Sequence, residues 1–194
     1  MDATLERLLE ELSRFGKAHD VELSDRRERL RNVESETARL LAVLVRATGG
    51  HRVLELGTSN GYSTLWLADA VPSGGRVTTV EIDEGRAAMA RENFARAGLV
   101  SRIDLRVQDA ALVLAESPDD AWDFVFLDAE RDQYVRYWPH LVRTLSHPGL
   151  LAVDNVVSHA DEVADFRARV DAEDGIVSML VPVGAGVLLV TQAG

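Results

Sequence analysis

Leu5, Leu8, Leu9, Leu12 and Phe15 recur at three- and four-residue spacing among charged neighbours. That period predicts an amphipathic helix at the N-terminus, with Gly16 near its end. A charged stretch over residues 20–31 leads to a second helix whose apolar positions are Val33, Leu40, Leu41, Leu44 and Val45, stopped by Gly49-Gly50. The period then changes. Residues 53–56, 77–82, 103–107, 124–127 and 150–153 are short apolar runs that read as strands. Helical stretches separate them: one carrying Leu65, Trp66 and Leu67, one over residues 86–97 stopped by Gly98, one over residues 134–145 in which Pro139 starts a new segment, and one over residues 163–170. Apolar strands alternating with helices imply a parallel sheet covered on both faces. Residues 176–194 carry no charge and reach membrane-spanning length, but Pro182, Gly184, Gly186 and Gly194 interrupt them. Two Val/Leu-rich runs around Gly184-Ala185-Gly186 predict a β-hairpin instead. The chain therefore reads as one α/β domain, residues 1–194, with N-terminal helices over residues 1–50 and the core over residues 51–194.

Composition narrows the function. At 46% hydrophobic and 27% charged, the 194 residues have the make-up of an ordinary globular protein. The absence of cysteine removes disulfides, thiolate zinc sites and a cysteine nucleophile. A net charge of −11 repels phosphate backbones and acidic lipid surfaces, which argues against nucleic acid or membrane partners. Met1 is followed by an acidic amphipathic stretch rather than a basic and then apolar one, so no signal peptide is read and a cytoplasmic location is expected.

The first strand runs directly into Glu55-Leu56-Gly57-Thr58-Ser59-Asn60-Gly61-Tyr62-Ser63 and then a helix. Gly57 permits a tight turn after the strand, and Gly61 lets backbone approach a ligand at the helix N-terminus. Glu81 ends the second strand, where an acid can hydrogen-bond ribose hydroxyls. A nucleoside cofactor across the carboxyl edge of the sheet fits these features. Ser59 stands where a dinucleotide fingerprint has its second glycine, so adenosine joined to an amino acid suits the loop better than a dinucleotide. A nicotinamide-dependent oxidoreductase would share the sheet and Glu81 and remains the alternative.

Asn32-Val33, the run from Val53 through Gly57 to Gly61-Tyr62-Ser63, Val80-Glu81-Ile82, Phe126-Leu127-Asp128-Ala129 and Asp154-Asn155-Val156 occur in one order and spacing. In these the chain resembles, from residue 32 to the C-terminus, the metal-dependent O-methyltransferases of the catechol and caffeoyl-coenzyme A type. These belong to the class I S-adenosylmethionine methyltransferases. The resemblance implies a Rossmann-like three-layer sandwich with seven mostly parallel strands in the order 3-2-1-4-5-7-6 and an antiparallel C-terminal hairpin. It implies S-adenosylmethionine as cofactor, with Val33, Gly57 and Ser63 at the methionine end, Glu81 on the ribose, Ile82 beside the adenine and Asp109-Ala110-Ala111 at the adenine edge. Glu55, Ser59, Gly61 and Tyr62 complete the expected cofactor shell, and Asp128 touches it from the metal side. Asp109 reads equally well as a helix cap. An N-terminal helix packed across a homodimer is also implied.

Asp128 ends the fourth strand and Asp154 with Asn155 ends the fifth. Strand neighbours about 4.8 Å apart would bring these side chains together. Two carboxylates and an amide oxygen suit Mg²⁺, with Mn²⁺ or Ca²⁺ also able to bind, and the three match the family's metal positions. Strand-end Asp and Asn also cap turns, the plainer reading of each alone. A divalent ion would stabilise the oxyanion that methylation of a phenol requires. Arg131 stands where many relatives have the lysine assigned as general base, and a guanidinium cannot accept a proton. Arg131 is therefore expected to stabilise the oxyanion or grip a substrate carboxylate, with the metal alone activating the hydroxyl. His159, five residues past Asp154, is a second candidate base, against the plainer reading of a surface histidine. A non-catalytic cofactor-binding protein of the same fold is the further alternative, and Arg131 is its best argument. Tyr134, Tyr137 and Trp138 read either as a substrate wall or as core, and the charges over residues 22–39 as a solvated face near the substrate mouth. The expected activity is methyl transfer to a hydroxyl of a small, catechol-like acceptor.

Overall fold

In the computed structural model, which describes residues 1–26 and 28–193, the two N-terminal helices are α1 (Ala3–Glu22) and α2 (Ser35–Thr48). Arg27 of the charged stretch and Gly194 of the hairpin lie outside the described residues. The core follows as β1 (Arg52–Leu56), α3 (Tyr62–Ala70), β2 (Arg76–Glu81), α4 (Glu84–Arg96), β3 (Ile103–Val107), α5 (Ala110–Glu116), β4 (Trp122–Leu127), α6 (Tyr134–Thr144), β5 (Leu145–Val153), α7 (Ala164–Ala172), β6 (Ile176–Val181) and β7 (Val187–Gln192). The sheet order is β3-β2-β1-β4-β5-β7-β6, parallel through β5 and antiparallel where β7 joins β5 and β6.

Alternating side chains divide the core between the two faces of the sheet. Val53, Val77, Phe124 and Phe126 meet α1 to α4 through Leu9, Leu41, Leu65 and Phe94. Leu54, Leu56, Val125 and Leu127 meet α5 to α7 through Leu114, Leu141 and Phe166. The N-terminal helices thus share the core rather than flank it. Asp2 caps α1 by accepting from the Thr4 and Leu5 amides, both at 2.9 Å.

The hairpin forms as β6 and β7, and among the described residues no helix is long and apolar enough to cross a membrane. Several details of the helices differ from the sequence reading. α1 continues through Gly16, where a Cβ would come within 2.5 Å of Asn32 Nδ2, so that glycine makes room for the returning chain and does not end the helix. Phe15, one residue off the buried stripe, is 50% exposed. Val33 precedes α2 and is buried beside the cavity described below rather than on a helix face. α6 passes through Pro139 unbroken; the carbonyl left without a donor belongs to exposed Val135, where water can reach it.

Candidate functional site

The chain builds outward from β1 to β3 and then returns to place β4 on the other side of β1, so their carboxyl ends open a crevice at the reversal. The exits from the strands are tied in series along this edge. Gly57 N–H donates to the Val80 carbonyl at 3.0 Å, Asp128 N–H to that of Leu56 at 3.0 Å, Asp154 N–H to that of Leu127 at 3.1 Å, and Gln108 N–H to that of Glu81 at 2.9 Å. Side chains from four different strand ends therefore face one cavity of about 640 Å³.

The glycine loop forms its floor. Gly57 has φ +105°, and a Cβ there would lie 2.2 Å from the Asp128 carbonyl oxygen, so only glycine lets the loop cross the exit of β4. Ser59 holds φ +50°; its N–H donates to Glu81 Oε2 at 2.8 Å and its hydroxyl to the Leu30 carbonyl at 2.6 Å. Glu81 Oε1 accepts from the Ile82 and Asp83 amides, each at 3.0 Å. Three backbone donors thus fix a nearly buried carboxylate on the cavity wall. Val33, Tyr62, Ser63 and a 74%-exposed Ile82 line the same space, as do Asp109 and Ala110.

Three of the expected cofactor residues do not line it. Glu55 is fully buried beneath the loop, where Oε2 accepts from Thr64 Oγ1 and from Thr79 Oγ1 at 2.6 Å. Thr79 in turn meets Thr58 Oγ1 at 2.6 Å, so Glu55 joins β1, β2, α3 and the loop from below. Burial pushes its carboxyl up to about 7, while the hydroxyls of Ser63, Thr64 and Thr79 pull the other way. At Gly61 a Cβ would meet Phe94 Cε1 at 2.4 Å; with φ +85° that glycine serves the packing of α3 on α4. Ala111 is turned away in α5, its N–H capped by Asp109 Oδ1 at 2.8 Å, so Asp109 is a helix cap that also borders the cavity.

On the opposite wall the structure brings Asp128, Asp154 and Asn155 together. Asn155, at φ +66°, donates Nδ2 to Asp128 Oδ1 at 2.9 Å and to Asp154 Oδ2 at 3.2 Å. Burial, then the neighbouring Asp154 charge, pushes the Asp128 carboxyl well above the usual range, with Arg31 opposing. Burial also raises Asp154, against the Asn155 amide. Asp154 Oδ1 is buried without a hydrogen-bond partner among the described residues. Among the described residues no three His, Asp or Glu side chains form a cation site, so any ion here would rest on two carboxylates and the Asn155 amide. Two crowded carboxylates, one with an orphaned oxygen, are a hard-donor set short of positive charge, which fits a divalent cation.

Arg131 lies beside them, buried and lining the cavity, with Nε donating to Glu162 Oε2 at 2.8 Å. His159 sits half-buried on the rim, its Nδ1 2.8 Å from Ser158 Oγ. Of the three aromatic residues, Tyr137 lines the cavity. Tyr134 and Trp138 pack edge-on against Phe166, with ring centroids 5.5 and 5.7 Å apart, and belong to the core. Sequence reasoning passed over Gln108 and Glu162, and had Glu34, which lines the cavity, only among the charges over residues 22–39. Gln108 was findable as the residue leaving β3, whereas the pairing of Glu162 with Arg131 spans 31 positions without a local signal.

The profile of a family described as O-methyltransferase matches residues 2–193. A catechol O-methyltransferase of Niastella koreensis is 35% identical over 147 residues, covering 74% of this chain and 66% of that enzyme. A catechol O-methyltransferase of Mycobacterium tuberculosis is 35% identical over 125 residues, covering 64% of this chain and 57% of its own length. These matches span less than two thirds of the length of both curated relatives. An O-methyltransferase from Bacillus cereus, solved in complex with S-adenosylhomocysteine (SAH), superimposes with a TM-score of 0.78 at 29% identity, over 99% of this chain and 91% of that one.

Proposed function

This chain belongs to the O-methyltransferase family, and we propose that it moves the methyl group of S-adenosylmethionine to a hydroxyl of a small, catechol-like acceptor with the help of a divalent cation. Family membership removes the nicotinamide alternative. The observation that carries the reading is one cavity shared by a fixed ribose-binding acid, Glu81, and an under-compensated Asp128–Asp154–Asn155 cluster.

Each residue then has a task. Glu81 accepts ribose hydroxyls on lone pairs that its backbone donors leave open. Gly57 and Ser63 face the methionine end, Val33 covers it, and Ile82 and Ala110 flank the adenine. Asp128, Asp154 and Asn155 would hold the cation, the Asn155 amide turning over so that its oxygen replaces Nδ2 toward the two carboxylates as third donor. Mg²⁺ suits this all-oxygen set best. Bound there, a divalent ion stabilises the acceptor's oxyanion and fixes its position. The acceptor oxygen attacks the methyl carbon as the carbon–sulfur bond breaks, and SAH leaves with the bonding pair. The hydroxyl proton cannot go to Arg131; His159 is the side chain assigned to receive it. An unchanged pH–rate profile in His159→Ala would remove that assignment. The homodimer stays in the proposal on the sequence resemblance, and the cytoplasmic setting on the sequence reading.

Transfer of labelled methyl from S-adenosylmethionine to catechol and to carboxylated catechols, in Mg²⁺ and in EDTA, tests the activity. Methylated product that depends on Mg²⁺ is expected. Cofactor binding without transfer to any of these acceptors would favour the non-catalytic alternative.

A further inference from the structure

Arg131 has bonding capacity that the protein does not use. Its side chain is 4% exposed, yet it lines the cavity. Nε is engaged by Glu162, whereas Nη2 is buried with no hydrogen-bond partner among the described residues. The nearby Asp154 also carries an orphaned oxygen, Oδ1, but Arg131 is ion-paired with Glu162 and not with Asp154. Two unmet groups of opposite character therefore face one cavity: an acceptor on Asp154 and a cationic donor on Arg131. Leaving a buried charged donor unmet is costly, so a ligand that supplies an anion there gains from it.

The partners of the neighbouring arginines leave Arg131 to a ligand. Glu162 is half-exposed and shared, since it also takes Arg26 Nη1 at 3.3 Å. Arg29, on the same wall, donates to a neutral partner, the Leu23 carbonyl, at 3.0 and 2.8 Å. Arginines and carboxylates line the cavity in near balance, so it is the unmet donor of Arg131, and not the overall charge, that calls for an anion. The reacting oxygen is assigned to the cation that Asp128, Asp154 and Asn155 would hold. Arg131 is left for a second anionic group.

We propose that the acceptor carries a carboxylate close to the hydroxyl that is methylated, and that Arg131 Nη2 donates to it. The substrate class is then aromatic hydroxy acids rather than plain catechols. This rests on the methyl-transfer reading above and narrows it.

The test is calorimetric binding of 2,3-dihydroxybenzoate, 3,4-dihydroxybenzoate and catechol to the SAH-loaded protein in Mg²⁺. At least one of the two acids is expected to bind about tenfold or more tightly than catechol, the factor that a charged hydrogen bond confers. Arg131→Gln is expected to bring that ratio close to one, and Arg131→Lys to keep part of it. Catechol binding as well as both acids to the wild type would overturn the proposal, and that comparison needs no variant. A preference that survives in Arg131→Gln would also overturn it. If SAH binds but none of the three does, the hydroxyl-acceptor reading itself fails, which distinguishes the two.

Discussion

Replacing Glu55 with glutamine should remove a loss of stability that the wild-type protein suffers as pH rises. Glu55 is fully buried, with one oxygen held by Thr64 and Thr79 and Oε1 without a partner. Burial raises its carboxyl from 4.5 to about 7, and the charge of Glu81 adds to the rise. The folded state therefore holds this proton more tightly than the unfolded chain. The stabilisation is complete below pH 4.5 and is lost as pH climbs through about 7. At about 1.4 kcal/mol per pH unit, that interval corresponds to roughly 3 kcal/mol. Glutamine imitates the protonated acid at every pH. Urea denaturation of both proteins from pH 4 to 8 should show similar stabilities at pH 4 and a glutamine advantage approaching roughly 3 kcal/mol at pH 8. Other raised groups, Asp128 and Asp154 among them, are common to both proteins and cancel in the difference. A wild-type-minus-variant difference that stays constant across this range would refute the argument.

Gly57→Ala forces a Cβ against the Asp128 carbonyl at an unfavourable φ; it should cost about 3 kcal/mol in urea denaturation and weaken SAH binding. Phe166→Ala empties the space between Tyr134 and Trp138 and should cost about 4 kcal/mol by the same measurement, without touching the cavity wall. Asp154→Ala should abolish turnover while calorimetric affinity for SAH stays nearly unchanged; equal loss of both would contradict the division of labour between the two walls of the cavity.

The strands and their edge were legible because a buried parallel strand is a continuous apolar run with its functional residue at the exit. β3 coincides with its run, residues 103–107, and Asp128 and Asp154 stand at the ends of theirs. The helix α5 was not read. Its seven residues are too few to display a helical period, and Leu112, Val113 and Leu114 are consecutive rather than spaced. Gly16 and Gly61 misled for a shared reason: a glycine needed by a close approach of packed chain looks, in sequence, like one needed by a stop or a ligand. Glu55 lies in the quoted loop motif but faces α3, because successive strand residues point to opposite faces and only the last ones reach the edge. The mixed charges near the mouth were visible over residues 22–39, but that Arg131 would be buried with an unmet donor follows only from three-dimensional packing.

Binding of dinitrocatechol to the SAH-loaded protein, measured by calorimetry in Mg²⁺ and again in EDTA, tests the central claim most directly. The account predicts binding in Mg²⁺ that disappears with EDTA, since Asp128, Asp154 and Asn155 would reach the two hydroxyls only through an ion. Binding undiminished by EDTA, or none in either buffer with SAH bound, would contradict it.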